Sequence, residues 1–182
     1  MNITRPATSS LRASALALAF TLALGGTAML AGCSNADTAA VQAIEPDRNT
    51  ADALDGMILL DYPGPKGQIH YADGKPDFFC DTVGMFGVYL KPEQQRRVRG
   101  VFVQDMAQAE WKNPVGHWID ARGAFFVAGS KARGAMGPTL ASFAREEDAR
   151  VFAAREGGRI LRFEQITPDM AMLDGGVLKD KM

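Results

Sequence analysis

The chain has 182 residues, 47% of them hydrophobic and 23% charged, which is enough for one compact domain with its own core and too little for a second full domain. Its formal net charge is −1, with acidic and basic residues interspersed. There is no basic stripe of the kind nucleic acid demands, so DNA and RNA are excluded as partners.

Residues 1–32 read as a processing segment rather than as structure. Arg5 and Arg12 precede an uncharged run from Ala13 to Gly32, rich in Ala and Leu, that ends Leu30-Ala31-Gly32-Cys33. The run is long enough for one membrane span, but a span leaves Cys33 unexplained. The ending resembles a bacterial lipobox, in which Cys33 carries diacylglycerol, becomes the new N-terminus and anchors the protein to a membrane. Removing 1–32 takes two basic residues and no acid, leaving 18 basic against 21 acidic and a net charge of about −3. Ser34 stands where Asp tends to retain a lipoprotein at the inner membrane, which implies a periplasm-facing anchor in the outer membrane of a Gram-negative cell. Residues 33–50 are too polar to pack and read as a flexible tether. With Cys33 modified, Cys80 is left as a free thiol in an oxidising compartment, with no partner in its own chain for a disulfide. It is open to two readings, a small buried hydrophobe or a thiol kept for metal or redox chemistry.

The stretch from Leu54 to Gln68 combines a carboxylate, a thioether and a rigid turn. Gly56 frees the backbone between Asp55 and Met57, so both side chains can approach one small ligand. Pro63-Gly64-Pro65 continues neither a helix nor a central strand, so Met57 to Leu60 is expected to be a short strand or loop that reverses near Gly64. Gln68 to Tyr71 reads as a strand with His70 facing solvent, and Asp73-Gly74 as a hairpin turn leading to Phe78-Phe79. Asp81 or Thr82 can N-cap a helix with Val83, Phe86, Gly87 and Leu90 at helical spacing, which stops before Lys91-Pro92. Val98 to Asp105 returns to a strand.

The second half follows a similar order. Ala124 to Ala128 is a strand, Gly129 to Pro138 a glycine-rich excursion, Arg145 to Glu156 a helix with Ser142 as a possible cap, and Arg159 to Ile166 a strand after Gly157-Gly158. Shifting the chain by 64 residues brings Phe79 onto Phe143 and Asp105-Met106 onto Asp169-Met170. The expected architecture is α+β, one compact domain of two tandem β-β-α-β units over 51–110 and 111–172, with a cleft between them and a tail at 173–182.

The residues able to hold a metal are Asp55, Met57, His70, Cys80, Met85, Met106, His117 and Met136. No pair has a CxxC or HxxxH spacing, and each has a packing alternative. Met57 precedes Ile58-Leu59-Leu60 and Met85 sits beside Phe86, both compatible with core; Met106 ends a strand; His117 adjoins Trp118 at a strand start. Met136 differs, because Gly134-Ala135-Met136-Gly137-Pro138 places a thioether on a loop flanked by glycines, where a core residue is not expected. No nucleophile and base pair up, so catalysis is not expected.

Gly56-Met57, Pro63 to Gln68, Phe79-Cys80, Val103 to Met106, Gly116 to Ala121, Gly134 to Phe143, Gly157-Gly158 and Ile166 to Met170 together resemble the NosL family, in the expected order over about residues 51–170. The resemblance implies a lipoprotein accessory to nitrous oxide reductase that carries Cu(I) across the periplasm for that enzyme's copper centres. It implies as partners the Nos-type ABC transporter with its periplasmic subunit and the apo reductase, and a fold of paired β-β-α-β units related to part of organomercurial lyase. The family usually shows Cys-x-x-Cys-Gly-Met, whereas here Asp52 and Asp55 occupy the cysteine positions. A carboxylate is a harder ligand than a thiolate, so the expectation is a weak, readily released Cu(I) site. Met57 and Met136 would be central to it and Asp55 an anionic neighbour or ligand, with Cys80, Met106 or His117 replacing the lost thiolate. Two alternatives stand beside this: an assembly factor that has lost its metal site, and a thiol-dependent, lyase-like enzyme using Cys80.

Overall fold

The computed structural model describes residues 40–172. The leader 1–32, Cys33, Ser34 and the tail 173–182 lie outside the described residues.

Among the described residues, two larger antiparallel sheets, a two-stranded hairpin and two α-helices make up the fold. The first sheet contains β1 (Gly67–Tyr71), β2 (Asp77–Phe79), β3 (Val98–Gln104) and β4 (Trp118–Asp120), in the order β2-β1-β3-β4. The second contains β5 (Phe125–Ala128), β8 (Ala141–Phe143) and β9 (Arg159–Arg162), in the order β8-β5-β9. Between β5 and β8 lies a miniature hairpin, β6 (Arg133–Gly134) with β7 (Gly137–Pro138). Helix α1 (Thr82–Tyr89) follows β2, and α2 (Glu146–Glu156) follows β8. In each sheet the earliest of three strands lies at the centre and the strand after the helix pairs on its far side. β4 departs from a division at residue 111, because it pairs with β3 and widens the first sheet.

The alternation of β5 shows why these residues form a strand between two layers. Ala124, Phe126 and Ala128 belong to the main core with α1, whereas Phe125 and Val127 face the smaller cluster under α2 with Ala141, Phe143, Ala149 and Phe152. Phe86 of α1 meets Phe126 edge-on at 5.2 Å and Phe163 at the same separation, joining the first helix to the second sheet. Phe86 has no exposed surface, and burial of such a ring is worth about 2–3 kcal/mol.

β1 is buried along its whole length because both faces are covered. Gly67 lies under Met85 of α1, where a Cβ would fall 2.6 Å from the Met85 sulfur, and Ile69 and Tyr71 join the same core. The opposite face carries Gln68 and His70, and it is covered by the segment expected to be a free tether. Ile44 donates its N–H to Gln68 Oε1 (2.9 Å) and accepts from Gln68 Nε2 (3.0 Å). Glu45 accepts from Trp118 Nε1 (2.7 Å) and from the Gly116 N–H (3.1 Å). From residue 44 onward the chain is therefore part of the domain, and polarity alone misled because its partners are a buried amide and an indole. His70 is likewise buried rather than solvent-facing, with Nε2 2.6 Å from Gln68 Oε1 and its ring edge-on to Phe102.

Asp81 caps α1 by accepting the Val83 N–H at 2.9 Å. Ser142 does not cap α2. It lies in β8 and donates from Oγ to the Gln104 carbonyl (2.6 Å), so that β8 is tied to β3; the N-cap position of α2 is Arg145.

Candidate metal centre

Two short hairpins carry the central methionines. The first spans 51–58: Ala51 bridges Ile58, Asp52 N–H donates to the Met57 carbonyl (2.8 Å), and Gly56 turns the chain with φ 78°. It hangs on the first sheet through Ala53 N–H to the Phe78 carbonyl (2.8 Å) and through Asp52. Asp52 is buried with both oxygens committed, Oδ1 to the Leu54 N–H (2.7 Å) and Oδ2 to the Cys80 N–H (2.6 Å). Asp55 is exposed at the turn, where Oδ1 accepts the Met57 N–H (2.9 Å). Asp52 thus fixes the loop to Cys80, and Asp55 remains at the surface beside the half-buried Met57.

The second hairpin is β6–β7. Gly134 pairs with Gly137, so Ala135 and Met136 form a two-residue apex, and Met136 is half-buried. Its base rests on the residue after Cys80: Thr139 Oγ1 donates to Asp81 Oδ1 (2.7 Å), and Thr82 Oγ1 donates to the Leu140 carbonyl (2.8 Å). The two loop systems also touch directly, because a Cβ on Gly64 would fall 2.7 Å from Gly134 Cα. Met57 and Met136 therefore belong to hairpins anchored on the consecutive residues Cys80 and Asp81.

Beneath them lies Lys66, without exposed surface, whose Nζ donates to the carbonyls of Tyr62 (2.7 Å), Pro63 (3.2 Å) and Cys80 (3.1 Å). Burial lowers its pKa from 10.5 to about 8, opposed by Cys80, Asp81 and Asp52. Burial pushes Asp81 up to about 6, while its bonds to Val83 and Thr139 and the Lys66 charge work against that rise. Cys80 has no exposed surface, and its thiol is pushed far above the ordinary range by burial, then by its hydrogen bond to Asp52 and the charges of Asp52, Asp55 and Asp81. A buried thiol held neutral is a poor nucleophile.

Met106 and His117 sit on segments other than the two hairpins. Met106 packs in the cluster under α2 with Trp111 and Phe125, its N–H bonded to the Ser142 carbonyl (2.9 Å). His117 is exposed just before β4, with φ 56°. The row Phe79, Gly67, Val103, Ile119 crosses the whole first sheet, so His117 and Cys80 stand at opposite edges, three strand spacings or about 14 Å apart. That span is too wide for one ion. Among the described residues no group of three or more His, Cys, Asp or Glu could hold a metal. A concavity of about 510 Å³ beside α1, lined by Leu54, Gly84, Gly87, Leu90 and Pro168, meets the first hairpin only at Leu54 and contains none of the proposed ligands.

The two hairpins carry the thioethers of Met57 and Met136, and Cys80 between their anchors is held to Asp52 through its N–H. Thioethers suit a soft monovalent ion such as Cu(I). Sequence reasoning missed Lys66 and saw Asp81 only as a helix cap; the signal for Lys66 was its place in Pro-Gly-Pro-Lys-Gly, where a basic residue follows a forced turn.

The model of the family described as NosL matches residues 43–171. The chain belongs to the NosL family. The "Copper-binding lipoprotein NosL" of Stutzerimonas stutzeri is 47% identical over 119 residues, which cover 65% of this chain and 61% of that protein. The alignment thus spans less than two thirds of that relative's length. The protein of the same description from Achromobacter cycloclastes is 37% identical over 164 residues, 85% of this chain and 83% of that one. The crystal structure of the copper chaperone NosL from Shewanella denitrificans is similar with a TM-score of 0.67 at 39% identity, covering 70% of this chain and 97% of that one. The α+β architecture of this NosL chain is therefore that of a solved family member, and the two methionine hairpins lie inside the matched region.

Proposed function

We propose that this chain is a membrane-anchored, non-enzymatic copper carrier, holding Cu(I) through Met57 and Met136 and releasing it for assembly of the copper centres of nitrous oxide reductase. Cys33 is the lipid anchor, the domain faces the periplasm from the outer membrane, and the Nos-type ABC transporter with its periplasmic subunit and the apo reductase are the partners. The observation that carries the reading is the anchoring of both thioether hairpins on consecutive residues at one end of the first sheet. The relatives described as copper-binding lipoproteins agree with it. Asp55 is a surface carboxylate beside Met57 and supplies negative charge without a thiolate, which favours loose holding. A carrier transfers its ion by ligand exchange, and a tight site retains it. Recruiting Cys80 requires loss of a proton from a thiol held well above its usual pKa, so any contribution it makes to binding grows with pH.

Anaerobic Cu(I) titration of the purified protein tests the reading. One copper bound per chain, with binding lost in Met57→Ala, is the expected result. A protein that takes up no copper yet binds the reductase or the transporter favours the alternative of an assembly factor without a metal site, for which the replacement of cysteine by Asp52 and Asp55 is the motivating feature. Activity and copper content of the reductase in cells lacking this protein test the delivery step.

A further inference from the structure

Asp81 is almost fully buried, and its two oxygens are used unequally. Oδ1 caps α1 and accepts from Thr139, whereas Oδ2 has no well-formed hydrogen bond among the described residues, although the Met136 N–H also acts on the carboxylate. Oδ2 is aimed at the base of the Met136 hairpin, since a Cβ built on Gly134 would fall 2.1 Å from it. No side chain fits between them, so the hairpin base closes directly onto the carboxylate. Thr82 adds a second strut, donating to the Leu140 carbonyl and lying 3.2 Å from Thr139 Oγ1. A two-residue apex has little freedom of its own. Where Met136 points is thus set by where Gly134 and Thr139 are held.

We propose that Asp81, acting through Thr139 and the bare face of Gly134, is the positioning residue that seats the Met136 thioether opposite Met57. The inference rests on the copper-carrier reading and adds to it the device that brings a ligand from the second sheet into register with one attached to the first. Because Asp81 is also the helix cap next to Cys80, both hairpins are referred to one rigid point, the N-terminus of α1.

The test uses the full chain purified in detergent, loaded anaerobically with Cu(I). Affinity is read by competition with a chromophoric Cu(I) chelator, the copper–sulfur coordination number by X-ray absorption, and the thermal midpoint is taken without metal. Thr139→Val keeps the shape and removes the hydroxyl; it is expected to weaken Cu(I) binding about tenfold, the effect of one lost hydrogen bond, and to remove one sulfur neighbour. Thr139→Ser restores the donor and is expected to restore both readouts. Gly134→Ala, which drives a methyl into Asp81, is expected to act like Thr139→Val. If Thr139→Val lowers the thermal midpoint but leaves affinity and sulfur count unchanged, the contact is merely structural and the inference is overturned. If Met136→Ala weakens binding while Thr139→Val and Gly134→Ala do not, positioning is overturned and the copper reading stands. If Met136→Ala itself binds copper as the parent protein does, both fall.

Discussion

Replacing Lys66 with Met tests whether a buried ammonium, rather than packing, ties the loop that follows Met57 to Cys80. Methionine keeps an unbranched stem but donates nothing, so the carbonyls of Tyr62, Pro63 and Cys80 lose their shared partner. At about 1 kcal/mol net for each bond, Lys66→Met costs about 3 kcal/mol of stability at pH 7. The pH dependence is the sharper signature. Below pH 8 the side chain is charged in both folded and unfolded chains, and the gap between parent and variant is flat. Between pH 8 and 10.5 the unfolded chain keeps a proton that the folded chain has shed, so the parent gains stability relative to the variant as pH rises. The lowering from 10.5 to about 8, at about 1.4 kcal/mol per unit, makes that gain about 3 kcal/mol, complete above pH 10.5. Other titrating groups are common to both proteins and largely cancel in the difference. Urea unfolding followed by the fluorescence of Trp111 and Trp118, at intervals from pH 7 to 11, measures it. Parallel profiles for parent and variant would refute the reasoning, because they would mean that Lys66 titrates alike folded and unfolded.

Cys80 should resist a soluble thiol reagent at pH 8 in the folded protein and react at once in denaturant; prompt labelling of the native chain would show that the thiol is neither buried nor neutral. Met57→Ala and Met136→Ala should each weaken Cu(I) binding by about tenfold or more, whereas Met106→Leu and His117→Ala should leave it unchanged, all read by chelator competition. A loss of affinity in His117→Ala would contradict the placement of His117 at the far edge of the sheet. Gln68→Ala removes both bonds to Ile44 and should cost about 2 kcal/mol, with faster hydrogen exchange at the Ile44 amide; an unchanged exchange rate would show that the 40–46 segment is held by something else.

The first β-β-α-β run was legible because each boundary carries its own chemistry: the Asp73-Gly74 turn, the Asp81 cap and the Lys91-Pro92 stop. The hairpin bearing Met136 was recognised only as a glycine-rich loop, since strands of Arg-Gly and Gly-Pro are too short to show alternation. Ser142 was read as a cap because hydroxyls favour helix starts, but tertiary pairing with Gln104 drew it into a strand. Gln68, His70 and Lys66 were hidden for a common reason. Polar side chains on a strand or turn suggest solvent, and only the folded chain shows that the covering layer is made of carbonyls and amides. The same limit applied to the site. Sequence singled out Met57 and Met136 through their glycines, but it offered no measure of distance, so it could not show that Cys80 and His117 stand at opposite edges of one sheet.

The atoms around copper in the loaded protein test the methionine site most directly. Copper K-edge absorption of the anaerobic Cu(I) complex should show sulfur in the first shell, reduced in Met57→Ala and in Met136→Ala and absent when both are replaced. A first shell of nitrogen and oxygen alone, or sulfur that persists when both methionines are gone, would contradict it.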